Sequence, residues 1–369
     1  MRHRDTATDP KAARIPHEDG EIVIDRPLHE STERRSIGPP IAVRPSLRRW
    51  GLGIALLWVL AILGVPAGGS AASAAATSAY VDVAVATVWT APTSPRAVDR
   101  PALANPLDTR RWSQSLTTAD RLGLVGRVQT QVLFGDRVLV LKRSGAWAYV
   151  VVPGQSTPKD RRGYPGWMPA VQLRSADAFG RALQGPVVVV TRPTAWLAVA
   201  KQRIELSYAT RLPLVGRSAR DVLVETPQGQ VGRLARGDVA TYRSASSTPR
   251  PSGATIVAAA RMFLGVRYLW GGTSAFGMDC SGLLELVFRA HGTLIPRDAD
   301  AQAHGGAPVA RSSLQPGDLV FYGRASVYHV ALYIGHGMMI ESPNSAASVW
   351  VTQLRAGDYY GARRYAAPG

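Results

Sequence analysis

Two β-rich modules followed by an α+β domain form the fold class that this 369-residue chain predicts, and three observations predict it. Between residues 80 and 243, short runs rich in Val, Leu, Tyr and Trp alternate with Gly, Pro and Asp, the pattern of strands joined by tight turns. Ser244-Ala-Ser-Ser-Thr-Pro-Arg-Pro-Ser-Gly253 then has the composition of a linker. From residue 254 onward, the apolar period becomes helical after Cys280 and strictly alternating after His329.

The elements ahead of that core have another character. Residues 1–49 mix both signs of charge with several prolines and little apolar periodicity, as a disordered leader does. From Trp50 to Tyr80 no residue is charged, and Trp50 to Val65 is a compact apolar run preceded by Arg44, Arg48 and Arg49. With small-residue sites at Ala72-Ser73-Ala74 and Ala74-Ala75-Ala76, residues 50–76 read as a signal peptide or a membrane anchor. The basic residues before it keep the N-terminus inside and send the rest out. The protein is therefore expected to be extracytoplasmic: secreted, in the wall, or held on the membrane through residues 50–66.

In the first module, residues 80–180, strands are expected in Val128–Asp136, Arg137–Leu141, Ala146–Val152, Gly163–Pro169 and Val171–Leu173. A looser copy follows over residues 181–243, with Pro186–Val190, Asp221–Glu225 and Gln230–Gly237. The linker spans 244–253 and the α+β domain 254–369.

Chemistry concentrates in that last domain. Asp279-Cys280-Ser281-Gly282 contains the only cysteine of the chain, so an intrachain disulfide is excluded. The apolar spacing of residues 281–291 predicts a helix that begins at the cysteine and stops at Gly292. Unpaired N–H groups at a helix start favour a thiolate, whereas Asp279 at the same place reads as a capping carboxylate. In His329-Val-Ala-Leu-Tyr-Ile-Gly335, Val330, Leu332 and Ile334 share one strand face and His329 lies on the other, where a buried-strand account does not explain it.

Four blocks, Tyr268-x-Trp270-Gly271-Gly272, Asp279-Cys280-Ser281-Gly282, Pro316-Gly317-Asp318-Leu319 and His329 to Gly335, resemble in order and spacing the NlpC/P60 cysteine peptidases of bacterial cell walls. The resemblance runs from about Thr255 to Tyr365. It implies a papain-like α+β domain with Cys280 as nucleophile and His329 as general base. The third polar position, usually His and sometimes Asn or Gln in that family, falls here on Glu341. A carboxylate there can accept the Nδ1–H of His329 and stabilise the imidazolium. Asn344 is a second candidate because hairpin register is not fixed by sequence.

The β-rich modules resemble bacterial SH3-like β-barrels. Their order ahead of the peptidase domain is similar to γ-D-glutamyl-L-diamino-acid endopeptidases, which act on peptidoglycan stem peptides. That likeness implies a first module packed against the active site. Tyr268 and Ser281 are expected on the substrate side of the nucleophile. Asp298, with Tyr164 as partner, is expected to take the free α-amino group of an N-terminal L-alanine and to disfavour acylated peptides.

A net charge of +17 would suit nucleic acid, but no nucleic-acid motif is present, so the charge is assigned to anionic cell-wall polymers. No Cys/His spacing suits zinc and no glycine-rich phosphate loop occurs, hence no cofactor and no metal are expected. The expected function is hydrolysis of the γ-D-glutamyl to diamino-acid bond of stem peptides. A wall-binding protein with an inactive peptidase fold, and an amidase or acyltransferase on the same thiol chemistry, are the alternatives.

Overall fold

Residues 76–367 are described in the computed structural model and belong to one compact unit, residues 70–369. The leader and the apolar run through Ala75 lie outside the described residues, and with them the expectations on export and anchoring. Among the described residues no helix is long and apolar enough to cross a membrane.

The first module is an antiparallel sheet of seven strands. In spatial order they are Val128–Leu133, Val85–Trp89, Tyr164–Pro169, Trp147–Val152, Arg137–Ser144, Thr77–Val81 and Leu173–Arg174. Alternation along these strands sends Val81, Val88, Val132, Val138, Val150 and Met168 into one core. Four of the expected runs are present as strands. The fifth, Val171–Leu173, is largely a 3₁₀ turn over Ala170–Gln172 before the short strand Leu173–Arg174.

A helical insertion at 97–122 has no counterpart in the sequence reading. It comprises the 3₁₀ segment Ala97–Leu103 and the helices Thr109–Ser115 and Thr118–Leu122. Its Trp112 and Leu116 form a satellite core with Trp89 and Leu269, so the insertion belongs to the catalytic side of the molecule.

The second module repeats the seven-strand plan between Val187 and Tyr242. Among the described residues, neither sheet has a ladder joining its two outermost strands. The linker expected to reach Gly253 ends one residue earlier. Ser252 already accepts a hydrogen bond from Thr255 N as N-cap of the helix Gly253–Arg261.

In the α+β domain, six antiparallel strands run in the order Ala307–Val309, Tyr359–Arg364, Leu319–Gly323, Val327–Gly335, Met338–Glu341 and Trp350–Gln353. The Cys helix, Cys280–Ala290, packs on this sheet through Leu283, Leu286, Val287 and Phe288, all fully buried against Val330 and Leu332. Each such side chain contributes roughly 1.5–3 kcal/mol. The helix ends at His291, followed by Gly292 at φ +71°, as its sequence predicts.

All three parts share the central core. Val85 and Leu133 of the first module and Tyr208 and Ala209 of the second belong to the same cluster as the Cys helix. The modules are therefore walls of the catalytic domain, with the linker running outside them.

Candidate active site

The Gly271-Gly272 turn and the Cys helix fix the nucleophile by close backbone approach. Gly271 has φ +73°, and a Cβ on Gly282 would lie 2.0 Å from the carbonyl oxygen of Gly272. Only glycine lets the first turn of the Cys helix come this near. Asp279 caps that helix, accepting from Gly282 N at 2.7 Å through Oδ1 and from Gly271 N at 2.8 Å through Oδ2. Its expected capping role is thus observed, with a second function of tying the turn to the helix.

Arg297, 1% exposed, locks this arrangement. It donates to Asp279 at 3.1 and 2.9 Å, to Ser281 Oγ at 3.0 Å and to Thr130 Oγ1 of the first module at 2.9 Å. Sequence reasoning placed Arg297 in a surface turn, and burial corrects that. Ser281 is corrected as well: its hydroxyl is taken up by Arg297 and Asp279 instead of facing a ligand.

His329 and Glu341 meet in the buried layer that also contains Tyr322 and Met339. The contact is 2.6 Å and is made by Nε2 of the ring, whereas the sequence reading had assigned it to Nδ1. Nδ1 is thereby left for the thiol. Burial disfavours a charged ring, yet hydrogen bonding and charge from Cys280 and Glu341 outweigh it and push His329 up to about 9.

For Glu341, burial is likewise outweighed. Hydrogen bonds and charges from His329 and Arg355 hold the carboxyl down at about 2. Thr352 Oγ1 donates to it at 2.9 Å, and Arg355 donates at 2.7 and 3.0 Å while lying 4.4 Å over the Tyr322 ring. The pair is an imidazolium against a carboxylate, the form in which a thiolate is the attacking group. Asn344 is not part of it: its Oδ1 accepts from Ala346 N and closes an exposed turn.

Tyr268, 5% exposed, pairs in parallel with Met278 beside the nucleophile. Burial, then the charge of Cys280, keeps its phenol protonated well above the usual tyrosine range, so it remains a donor next to the sulfur. Asp298 and Tyr164 also come together, across the boundary between domains. The tyrosine hydroxyl donates to both carboxylate oxygens, at 3.0 and 2.8 Å. Arg297 N donates to Ser156 O at 3.0 Å, fastening the loop beside Asp298 to the first module.

Arg355, Arg297, Thr130 and Lys159 are site residues that sequence reasoning missed. Each acts from a loop or from another module, where spacing carries no signal. Arg121 of the helical insertion is one more, gripping Ser345 O at 2.7 and 3.0 Å.

Comparison with known proteins follows the same division. Residues 265–365 match the NlpC/P60 family and residues 190–242 match the YKFC SH3b2 domain. The chain is 42% identical over 301 residues to a gamma-D-glutamyl-L-lysine dipeptidyl-peptidase of Bacillus cereus, covering 78% of this chain and 90% of that protein. A protein of the same description from Bacillus subtilis is 39% identical over 279 residues, 73% of this chain and 92% of its own length. The crystal structure of an NlpC/P60 family protein from Bacillus cereus superposes with a TM-score of 0.77 at 41% identity, over 79% of this chain and all of that one.

Proposed function

The chain belongs to the NlpC/P60 family of cysteine peptidases, and from that premise we propose that it hydrolyses the γ-D-glutamyl to diamino-acid bond of peptidoglycan stem peptides. The observation that carries this reading is the Cys280, His329, Glu341 constellation with Asp298 and Tyr164 gathered nearby.

Cys280 attacks the γ-glutamyl carbonyl as thiolate, and the proton held by His329 passes to the leaving amine of the diamino acid. Water then cleaves the thioester, with His329 as base. The Cys280 backbone N–H and the Tyr268 hydroxyl are the donors available to the oxyanion. Glu341 keeps the ring oriented through Nε2. The alternative of an inactive wall-binding protein loses its basis, because the substitution on which it rested supplies an acceptor 2.6 Å from the ring.

Asp298 takes the amino end of the peptide, which makes a free N-terminal L-alanine the preferred terminus. The printed activity of the two Bacillus relatives supports lysine as a diamino acid. Export follows from the uncharged run after Arg44, Arg48 and Arg49, and the net charge of +17 suits an anionic wall.

Incubation with L-Ala-γ-D-Glu-L-Lys and mass spectrometry of the products tests the reaction. The dipeptide L-Ala-D-Glu plus lysine is expected, and intact peptide with wild-type protein and equal turnover by Cys280→Ala would each overturn it. N-terminal sequencing of the exported protein tests topology: a start near Thr77 or Ser78 marks cleavage, whereas a full-length soluble cytoplasmic product would overturn export.

A further inference from the structure

The amine site already holds a cation. Lys159 Nζ lies 3.3 Å from Asp298 Oδ2 and 3.1 Å from Gln129 Oε1, in contact with the Tyr164 hydroxyl and 4.3 Å from the centre of its ring. A carboxylate, a neutral amide oxygen, a phenol and an aromatic face are the surroundings that a peptide α-ammonium would want. They are filled by a side chain of the protein itself. The carrier loop is fixed: Lys159 N donates to Thr157 Oγ1, and Ser156 O accepts from Arg297 N. The side chain, in contrast, is 44% exposed and reaches the cage on a flexible stem.

We propose that Lys159 is the resident cation of the amine site and a determinant of specificity that narrows the preference for peptides with a free N-terminus. This rests on the reading that Asp298 faces the peptide amine. The argument turns on charge. Asp298 is the single carboxylate contacting Lys159 in this cage, Gln129 contributing only a neutral oxygen.

A bare carboxylate would penalise an acylated, uncharged terminus strongly, because the charge would be left without a partner. With Lys159 in place the carboxylate keeps its partner, and the blocked peptide loses little. A free ammonium, on the other hand, cannot share one carboxylate with a second cation without repulsion, so it must first displace Lys159 into solvent. Both effects act in the same direction. The consequence is a peptidase that tolerates stems still carrying an N-acyl group, unlike one with an unguarded aspartate.

The test measures kcat and KM on L-Ala-γ-D-Glu-L-Lys and on its N-acetyl derivative, using the intact protein and the variants Lys159→Met, Lys159→Arg and Asp298→Asn. Wild type should favour the free amine by less than about tenfold, and Lys159→Met should widen the ratio to about a hundredfold, the scale set by leaving a buried charge unpaired. The change should appear in KM, falling for the free peptide and rising for the acetylated one. Lys159→Arg, which retains the cation, should keep the narrow ratio.

A ratio within twofold of wild type in Lys159→Met, while Asp298→Asn still impairs the free peptide, would overturn the role of Lys159 and leave the amine-site reading standing. Undiminished cleavage of the free peptide by Asp298→Asn would overturn the amine-site reading, and this inference with it.

Discussion

Glu341 offers the sharpest test of how the catalytic pair is held. His329 is pushed up to about 9 from an ordinary 6.5, a difference of about 2.5 pKa units or roughly 3.4 kcal/mol in favour of the imidazolium. Cys280 and Glu341 supply it against the opposing effect of burial. If the carboxylate supplies about half, Glu341→Gln should remove roughly 1.7 kcal/mol and lower activity by about 10- to 30-fold. The amide cannot satisfy every donor that the carboxylate does. With its oxygen on His329 Nε2–H, its NH₂ faces Thr352 and Arg355 Nη1, and Arg355, 43% exposed, must swing into water. Glu341→Ala additionally orphans the buried ring N–H, which costs about 1–3 kcal/mol more and takes the loss to about 100-fold or beyond.

The assay is kcat/KM against pH on a γ-D-glutamyl-lysine peptide. Activity that depends on a protonated His329 fails as pH rises through the folded value, so the wild-type alkaline limb belongs near pH 9 and that of Glu341→Gln about one unit lower. Rates within twofold of wild type in both variants, with an unmoved alkaline limb, would refute the reasoning.

Other outcomes follow from the same site. Cys280→Ala should abolish hydrolysis, and iodoacetamide should inactivate the wild type with one carboxamidomethyl group on Cys280 by peptide mapping; undiminished activity after complete alkylation would contradict the mechanism. Gly282→Ala forces a Cβ to within 2.0 Å of Gly272 O, so denaturant unfolding should show a loss of about 1–3 kcal/mol together with lost activity. Glu285, on the buried side of the Cys helix and without a hydrogen-bond partner, is raised to about 7 by burial, against the opposing charges of Arg289 and Arg297. Its folded value lies above its unfolded one, so its contribution is fully present below about pH 4.5 and is lost as pH rises to 7, by up to about 3 kcal/mol. Glu285→Gln should therefore gain thermal stability relative to wild type between pH 4.5 and 7 and hold that gain at pH 8; a difference independent of pH would contradict this account.

Local chemistry made the catalytic domain legible. The Cys helix has its start, apolar face and glycine stop written into eleven consecutive residues, and His329 stands out because an alternating strand gives it no apolar role. The expected third residue, Glu341, was reachable from the family's spacing, but the ring atom that meets it was not, since that depends on how the two strands are staggered. Strands such as Thr194–Val199 and Gln202–Ser207 escaped notice because charged and small residues interrupt their alternation. The helical insertion escaped for another reason: its short helices depend on Trp112 and Leu116 finding Trp89 and Leu269 across the domain boundary.

That boundary decides what the β-rich modules are for. If they only tethered the peptidase to the wall, their contacts with the α+β domain would be few and polar, and the linker would set the separation. Instead Thr130 holds Arg297, which holds Asp279 and Ser281 on either side of the nucleophile. Gln131 accepts from Thr273 N and Ser274 Oγ on the hairpin leading to Cys280, and Ser207 of the second module accepts from Ala275 N. Trp270 Nε1 donates to Val128 O in the same layer. The buried arginine is the member of this chain that could not be left without its partners, because an unpaired guanidinium in the core is far costlier than a broken surface pair. The first module is thus a structural requirement for aligning Cys280 as well as the wall that carries Tyr164 and Lys159. Module and catalytic domain should accordingly unfold in a single transition in which activity is lost together with the strand signal.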